Sequence, residues 1–433
     1  MTRPRAHEPA VEQSVLSRIA AFWLLGAIQL LLLFAASAPS PLYPVYQAEW
    51  GFSATTVTVV FALYAIALLL ALLVVGALSD HVGRRPVLVV ALILEAGSMT
   101  MFITAGGVST LLLARALQGL ATGAATGAIT AGLVDLQPKH SPRLGATVNG
   151  VATTLGLAAG ALGSGLLVQY APAPTTLIFV LLTAAFAVTT VGVFLMPETS
   201  ERRPGALASL RPTMSIPPRV RPHFAISAPS LVALWALGGF HLSLGPALTV
   251  EVLHVHSHLA TGIVISILTG MGAVGAFTPR HREPRQVLTI GSLAMIAGMA
   301  TTILAVVATV PVAYLLGTAV AGFGYGASFL GAFGTIAPLA TPKERAALFS
   351  TVYVVSYASF SLPAIAAGVM STQVGLRTTA TFYAAALIAL AAAVLVGMAV
   401  QRRREASRDI LQTPPQRTAL TAGEPSSSVC IPS

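Results

Sequence analysis

The chain has little charge, two lysines and a single cysteine. Charged residues make up 9% of 433, where a soluble domain carries roughly 25%. So few cannot solvate the surface of a protein this size, which excludes a soluble globular class. The one cysteine, Cys430, stands in the tail, so no intramolecular disulfide can form. Only Lys139 and Lys343 are lysine, and alanine is abundant, a composition that points to a GC-rich bacterial genome. No Gly-x-x-x-x-Gly-Lys-Ser/Thr phosphate loop is present, so ATP drive has no support. No paired acids, His-Glu-x-x-His or Gly-x-Ser-x-Gly stand at one depth to support an intramembrane enzyme, and a receptor is an equally remote reading. The N-terminal stretch lacks the short apolar region and small-residue cleavage site of a cleaved leader.

What the chain does have is apolar length. Hydrophobic residues make up 55% and mean hydropathy is +0.82. Apolar segments fall at 18–38, 54–78, 86–105, 109–134, 145–170 and 175–196, then at 229–252, 260–277, 286–307, 311–338, 346–370 and 378–400. Each is near the 20 or so residues that cross the hydrocarbon of a bilayer. The expected class is an all-α polytopic membrane protein of about twelve helices in two six-helix bundles, 18–196 and 227–400. Residues 1–17 precede the first bundle. The proline- and arginine-rich stretch 197–226 reads as an extended, solvated linker, and 401–433 as a disordered tail.

The basic residues set an orientation. With the N-terminus in the cytoplasm, all of the 24 except Arg115 and Arg377 fall on the cytoplasmic side. Both termini are then cytoplasmic. The net charge of +10 reads as a topology signal without a nucleic-acid partner. The halves also repeat. Gly76-Ala-Leu-Ser-Asp-His-Val-Gly-Arg-Arg has a degenerate counterpart from Gly275, Leu113 to Gly123 matches Leu316 to Gly326 at its glycines, and Pro138-Lys139 recurs as Pro342-Lys343. Even-numbered halves run in the same direction, a parallel repeat around a central cavity.

The turn Gly76-x-Leu78-x-Asp80-x-x-Gly83-Arg84-Arg85 resembles the loop 2–3 signature of the major facilitator superfamily. Arg115-x-x-Gln118-Gly119 resembles a second signature, seen in its drug/proton antiporter branches. Met196-Pro-Glu-Thr199 at the end of the sixth span is a familiar ending. The resemblance implies a secondary transporter working by alternating access, with a small-molecule substrate, protons as coupling ion, no cofactor and a monomeric state in the bacterial inner membrane. Its alternative is a symporter or uniporter for a sugar or other polar solute. It also implies that the turn latches the outward-facing state and breaks on inward opening. The fifth-span run Gly156 to Gly165 resembles the antiporter signature but has Ala161 where that pattern has proline.

The residues carry their own chemistry. Gly76 lets a neighbouring helix approach, Gly83 permits a turn with positive φ, and Asp80 can pair with Arg84, with Asp135 a further partner at the same face. Arg85 serves either that cluster or topology alone. Glu95 lies near mid-membrane, where burial disfavours a charged carboxylate, so it is the leading proton-site candidate. Arg115, about 9 Å into its span, either binds an anionic group, answers a proton-carrying carboxylate such as Glu95, or snorkels to the periplasmic interface, and Gln118 one turn on continues a polar face. His241 either lines the cavity or bonds between helices. Glu251 is a weaker proton candidate. His254, His256 and His258 read as an incidental cluster, and no metal is expected. Gly119, Gly123 and Gly127, Gly156 and Gly160, and Gly322 and Gly326 are spaced for close helix packing. In the second half Thr318, Ala321 and Pro279 replace Arg115, Gln118 and Asp80. Trp235, Phe240, Tyr325, Phe329, Phe333, Tyr353 and Tyr357 are expected to supply an apolar wall, with Pro246 and Pro363 as candidate kinks.

Overall fold

The computed structural model describes residues 15–200 and 203–412. Arg3, Arg5, Arg202, Arg417 and Cys430 lie outside the described residues. Among the described residues, twelve helices are long and apolar enough to cross a membrane. They are α1 Arg18–Ser37, α2 Ala54–Val75, α3 Arg84–Ile103, α4 Val108–Leu136, α5 Leu144–Tyr170 and α6 Leu177–Leu195, then α7 Arg221–Ser243, α8 His258–Phe277, α9 Pro284–Ala308, α10 Pro311–Ile336, α11 Pro342–Val374 and α12 Leu376–Gln412. Among the described residues there is no strand.

The helix starts follow capping chemistry. The Ser17 hydroxyl accepts from Ala20 N at 3.2 Å, and Ser53 and Ser257 serve α2 and α8 in the same way. Thr341 and Glu344 form a reciprocal capping box on α11. Prolines open α7, α9, α10 and α11, where the missing N–H has no helical partner to lose. Pro222, read as linker, therefore belongs to a helix: α7 starts at Arg221, ahead of the expected 227. The expected disordered tail is also corrected at its start, because α12 continues to Gln412. The described residues 396–412 belong to a unit of their own, which carries Arg402, Arg403 and Arg404.

Within the unit ending at Leu395, the packing repeats. α2 packs on α4 as α8 does on α10, α1 on α5 as α7 on α11, and α3 on α4 as α9 on α10. Small residues bring these backbones together. A Cβ at Gly119 would stand 2.2 Å from Tyr64 O, and Gly123 and Gly127 meet Leu68 and Gly76 in the same way. Gly156 and Gly160 meet Leu30 and Phe34 on α1, and Gly322 and Gly326 meet Leu268 and Gly272 on α8.

The linker is not free. Arg203 N donates to His81 O at 2.9 Å, and Ser215 N donates to Ala347 O at 3.3 Å. Arg219 pairs with Glu344 and donates to Leu339 O at 2.8 Å. Arg18 donates in the same way to Asp135 O at 2.7 Å. In each half, an arginine at the approach to the first helix thus holds the carbonyl end of the fourth.

Candidate functional site

The Gly76–Arg85 turn is built around one guanidinium. Arg84, with its side chain 8% exposed, reaches Asp135 Oδ2 at 2.8 Å and Asp80 Oδ1 at 3.0 Å. Gly83 stands at φ 103, open to glycine, and a Cβ there would lie 2.7 Å from Glu198 Oε2. Glu198 closes the turn from α6. Its carboxylate accepts from Arg84 N at 2.9 Å and Arg85 N at 3.0 Å, two N–H groups left unpaired at the start of α3. The Arg85 side chain donates to Phe194 O at 2.5 Å, so it fastens α3 to α6 as well as carrying charge. Sequence reasoning missed Glu198. Its one signal was the acid in the Met-Pro-Glu-Thr ending.

Glu95 and Arg115 are both fully buried, but they are not joined as expected. Thr122 donates to Glu95 Oε1 at 2.5 Å, and Glu95 Oε2 has no partner. Thr122 lies two turns along α4 from Arg115. The Arg115 guanidinium turns to α1 instead, donating to Ala36 O at 3.2 Å and Gln118 Oε1 at 2.7 Å. Its carbon stands 4.6 Å from the Tyr64 ring centroid and 5.8 Å from that of Phe61. Its Nε and Nη2 have no partner. Gln118 Nε2 donates to Ala35 O at 3.0 Å.

The two bundles meet along α5 with α8 and α2 with α11. Ser266 Oγ donates to Ala158 O at 2.7 Å, His258 N to Gln169 Oε1 at 3.0 Å, and Gly262 abuts Ala161 O. Gly368 meets Thr58, and Phe61 and Phe360 touch at 4.8 Å. These contacts lie in the halves of the helices away from the Asp80 turn. The far end, opposite that turn, is shut. The Asp80–Arg84–Asp135 cluster is intact in this state. Its members all belong to one bundle.

Residues 25–282 and 280–429 each match the Major Facilitator Superfamily. The chain belongs to that superfamily. It is a multi-pass membrane transporter and not an enzyme. The quinolone resistance protein NorA of Staphylococcus aureus is 27% identical over 100 residues, which span 23% of this chain and 26% of NorA. The fold is shared with a bacterial homologue of the human lysosomal transporter Spinster in an inward-facing and occupied conformation. That structure has a TM-score of 0.70 at 14% identity, covering 88% of this chain and 97% of the other. The human organic anion transporter MFSD10 gives 0.60 at 18% identity, covering 88% and 100%.

Within the superfamily fold, other expected residues stand elsewhere. His241 bonds within its own helix. It is 1% exposed, its Nδ1 meets Leu237 O of its own helix at 3.1 Å, and its ring lies parallel to Tyr314. Phe240 is stacked on Tyr383 in the second bundle and leaves the expected wall. Trp235, Tyr357 and Phe360 form a cluster beside Phe61 at the seam. Glu251 sits exposed on a π-helical turn, and partial burial pushes its carboxyl up from the usual range. Among the described residues no three His, Cys, Asp or Glu side chains converge as metal ligands. Pro363 lies inside α11, and Pro246 marks the break after α7.

Proposed function

We propose that this transporter exports small amphipathic molecules in exchange for protons. The observation that carries the reading is the buried Glu95 carboxyl, with one oxygen on Thr122 and the other without a partner, in the same bundle as the incompletely paired Arg115. A carboxyl so placed is cheap to bury when neutral and costly when ionised. A proton taken up on one side of the membrane is then released when access changes. The basic-residue asymmetry places the Asp80 turn in the cytoplasm of a bacterial inner membrane, with both termini on that side. The shut far end is then periplasmic and the state inward-open. The half-exposed aromatics of the second bundle, Trp235, Tyr325, Phe333 and Tyr357, suit an apolar or amphipathic substrate. The similarity to NorA supports efflux over uptake.

The test is substrate flux in inverted vesicles with an imposed pH gradient. Wild type accumulates substrate when the lumen is acid, and Glu95→Gln loses that response. A Glu95→Gln protein with wild-type pH dependence removes Glu95 as the proton site. Accumulation indifferent to the gradient in wild type refutes antiport and favours a uniporter.

A further inference from the structure

We propose that the break at the end of α1 couples Glu95 to the shut far end, with Arg115 and Gln118 as the positioning residues that hold it. The inference rests on the reading of Glu95 as the proton site.

The break has a local cause. Pro39 and Pro41 have no N–H, so the carbonyls of Ala35 and Ser37, four residues back, lose their helical donors. α1 ends at Ser37 and gives way to a single 3-10 turn, Ser40–Leu42, and the short helix Tyr43–Trp50. Donors from other helices serve this end of α1, and one of them replaces the donor lost to Ala35 O. Gln118 Nε2 serves Ala35 O at 3.0 Å, Arg115 Nη1 serves Ala36 O at 3.2 Å, and Ser164 Oγ serves Ala38 O at 2.6 Å. The chain just beyond the break packs on α5 and reaches across to α8 and to the Gly245–Ala247 turn of the second bundle. The break is therefore part of the closure between bundles.

Arg115 joins this break to Glu95. Two of its three nitrogens have no partner in a fully buried site, and one oxygen of Glu95 is equally unsatisfied. The Tyr64 ring lies against the guanidinium on the side of α2. When Glu95 is neutral, Ala36 O, Gln118 Oε1 and the Tyr43 hydroxyl are the acceptors within reach of Arg115. When Glu95 ionises, a full negative charge in the same low-dielectric bundle competes for the unused N–H groups. Drawing the guanidinium that way takes a donor from Ala36 O and loosens the segment that reaches α8. The other ionisable groups facing the pair are Tyr64 from α2 and Tyr43, with Tyr46 and Glu49 further along the segment past the break. The nearest ionisable residues of α1 and α5 are Arg18 and Tyr170, at the helix ends, and α6 has none.

The experiment uses the full chain in liposomes with Cys430→Ser and a reporter, Thr58→Cys, buried at the α2–α11 seam. Alkylation by an impermeant maleimide from the far side reads opening of that end. The parent is expected to label slowly at low pH and faster at high pH. Glu95→Gln should label slowly throughout. Gln118→Leu leaves Ala35 O without a donor and should label about tenfold faster at low pH. Adding Pro39→Ala returns a backbone N–H to Ala35 O and should restore low-pH protection to within about twofold, which also shows that the Gln118→Leu protein folds. A Glu95→Gln protein that still opens at high pH overturns the Glu95 reading and this inference together. A Glu95→Gln protein locked shut, with Gln118→Leu labelling like the parent, overturns the role of the α1 break alone.

Discussion

Gly262 offers a direct handle on the closed end. Its backbone crosses α5, and a Cβ built there would lie 2.5 Å from Ala161 O. Ordinary contact begins near 3.4 Å, so Gly262→Ala requires the bundles to separate locally by about 0.9 Å. Overpacking of this size costs about 1–3 kcal/mol if the seam stays shut. The bundles can part, so the cost appears as a shift of about 5- to 150-fold in favour of states open at that end. Maleimide labelling of Thr58→Cys in the Cys430→Ser protein measures the shift on the other seam, α2–α11. Gly270→Ala is the control: it lies on the same helix, and its Cβ would meet nothing within 4 Å. Faster labelling in Gly262→Ala and parental labelling in Gly270→Ala are expected. Equal labelling of all three proteins would refute the view that this crossing holds the far end closed.

Three further outcomes follow from the Asp80 turn. Asp80→Asn removes a carboxylate that is 58% exposed while Arg84 keeps Asp135, so thermal stability in detergent should change by less than about 1 kcal/mol while transport falls sharply. Unchanged flux would discard a conformational role for Asp80. Asp135→Ala strips the largely buried Arg84 of its closer partner while Asp80 remains, and should cost about 1–2 kcal/mol, read as a loss of melting temperature. Glu198→Ala should cost about 1–2 kcal/mol through loss of the cap on α3, and Glu198→Gln, which keeps one strong acceptor, about half that.

The spans were legible because crossing a bilayer demands apolar length, and that demand is written residue by residue. The turn cluster was legible because Asp80 and Arg84 are one helical turn apart and Asp135 ends a span on the same face. Three features were not. Glu198 is 114 residues from Arg84, and nothing in the composition near it announces that α3 begins beside the exit of α6. Arg115 and Glu95 were paired on charge alone, but Ala36 O, at the end of α1 that Pro39 and Pro41 break, takes the same guanidinium. Those prolines were visible, whereas their consequence depends on which helices pack against the break. Phe240 was assigned to the apolar wall by size, but the rotation of α7 about its own axis decides which side chains face outward. The flat apolar distribution around that helix gives no such direction.

The fastened linker has a mechanical consequence. Its anchors at His81 O and Ala347 O belong to different bundles, and the chain between Arg203 and Ser215, drawn fully straight, spans roughly 40 Å. That length is a covalent stop on how far the end bearing the Asp80 turn can gape while both anchors hold. Shortening the leash by several residues would keep that mouth narrow for every substrate alike, whereas lengthening it would move the stop outward.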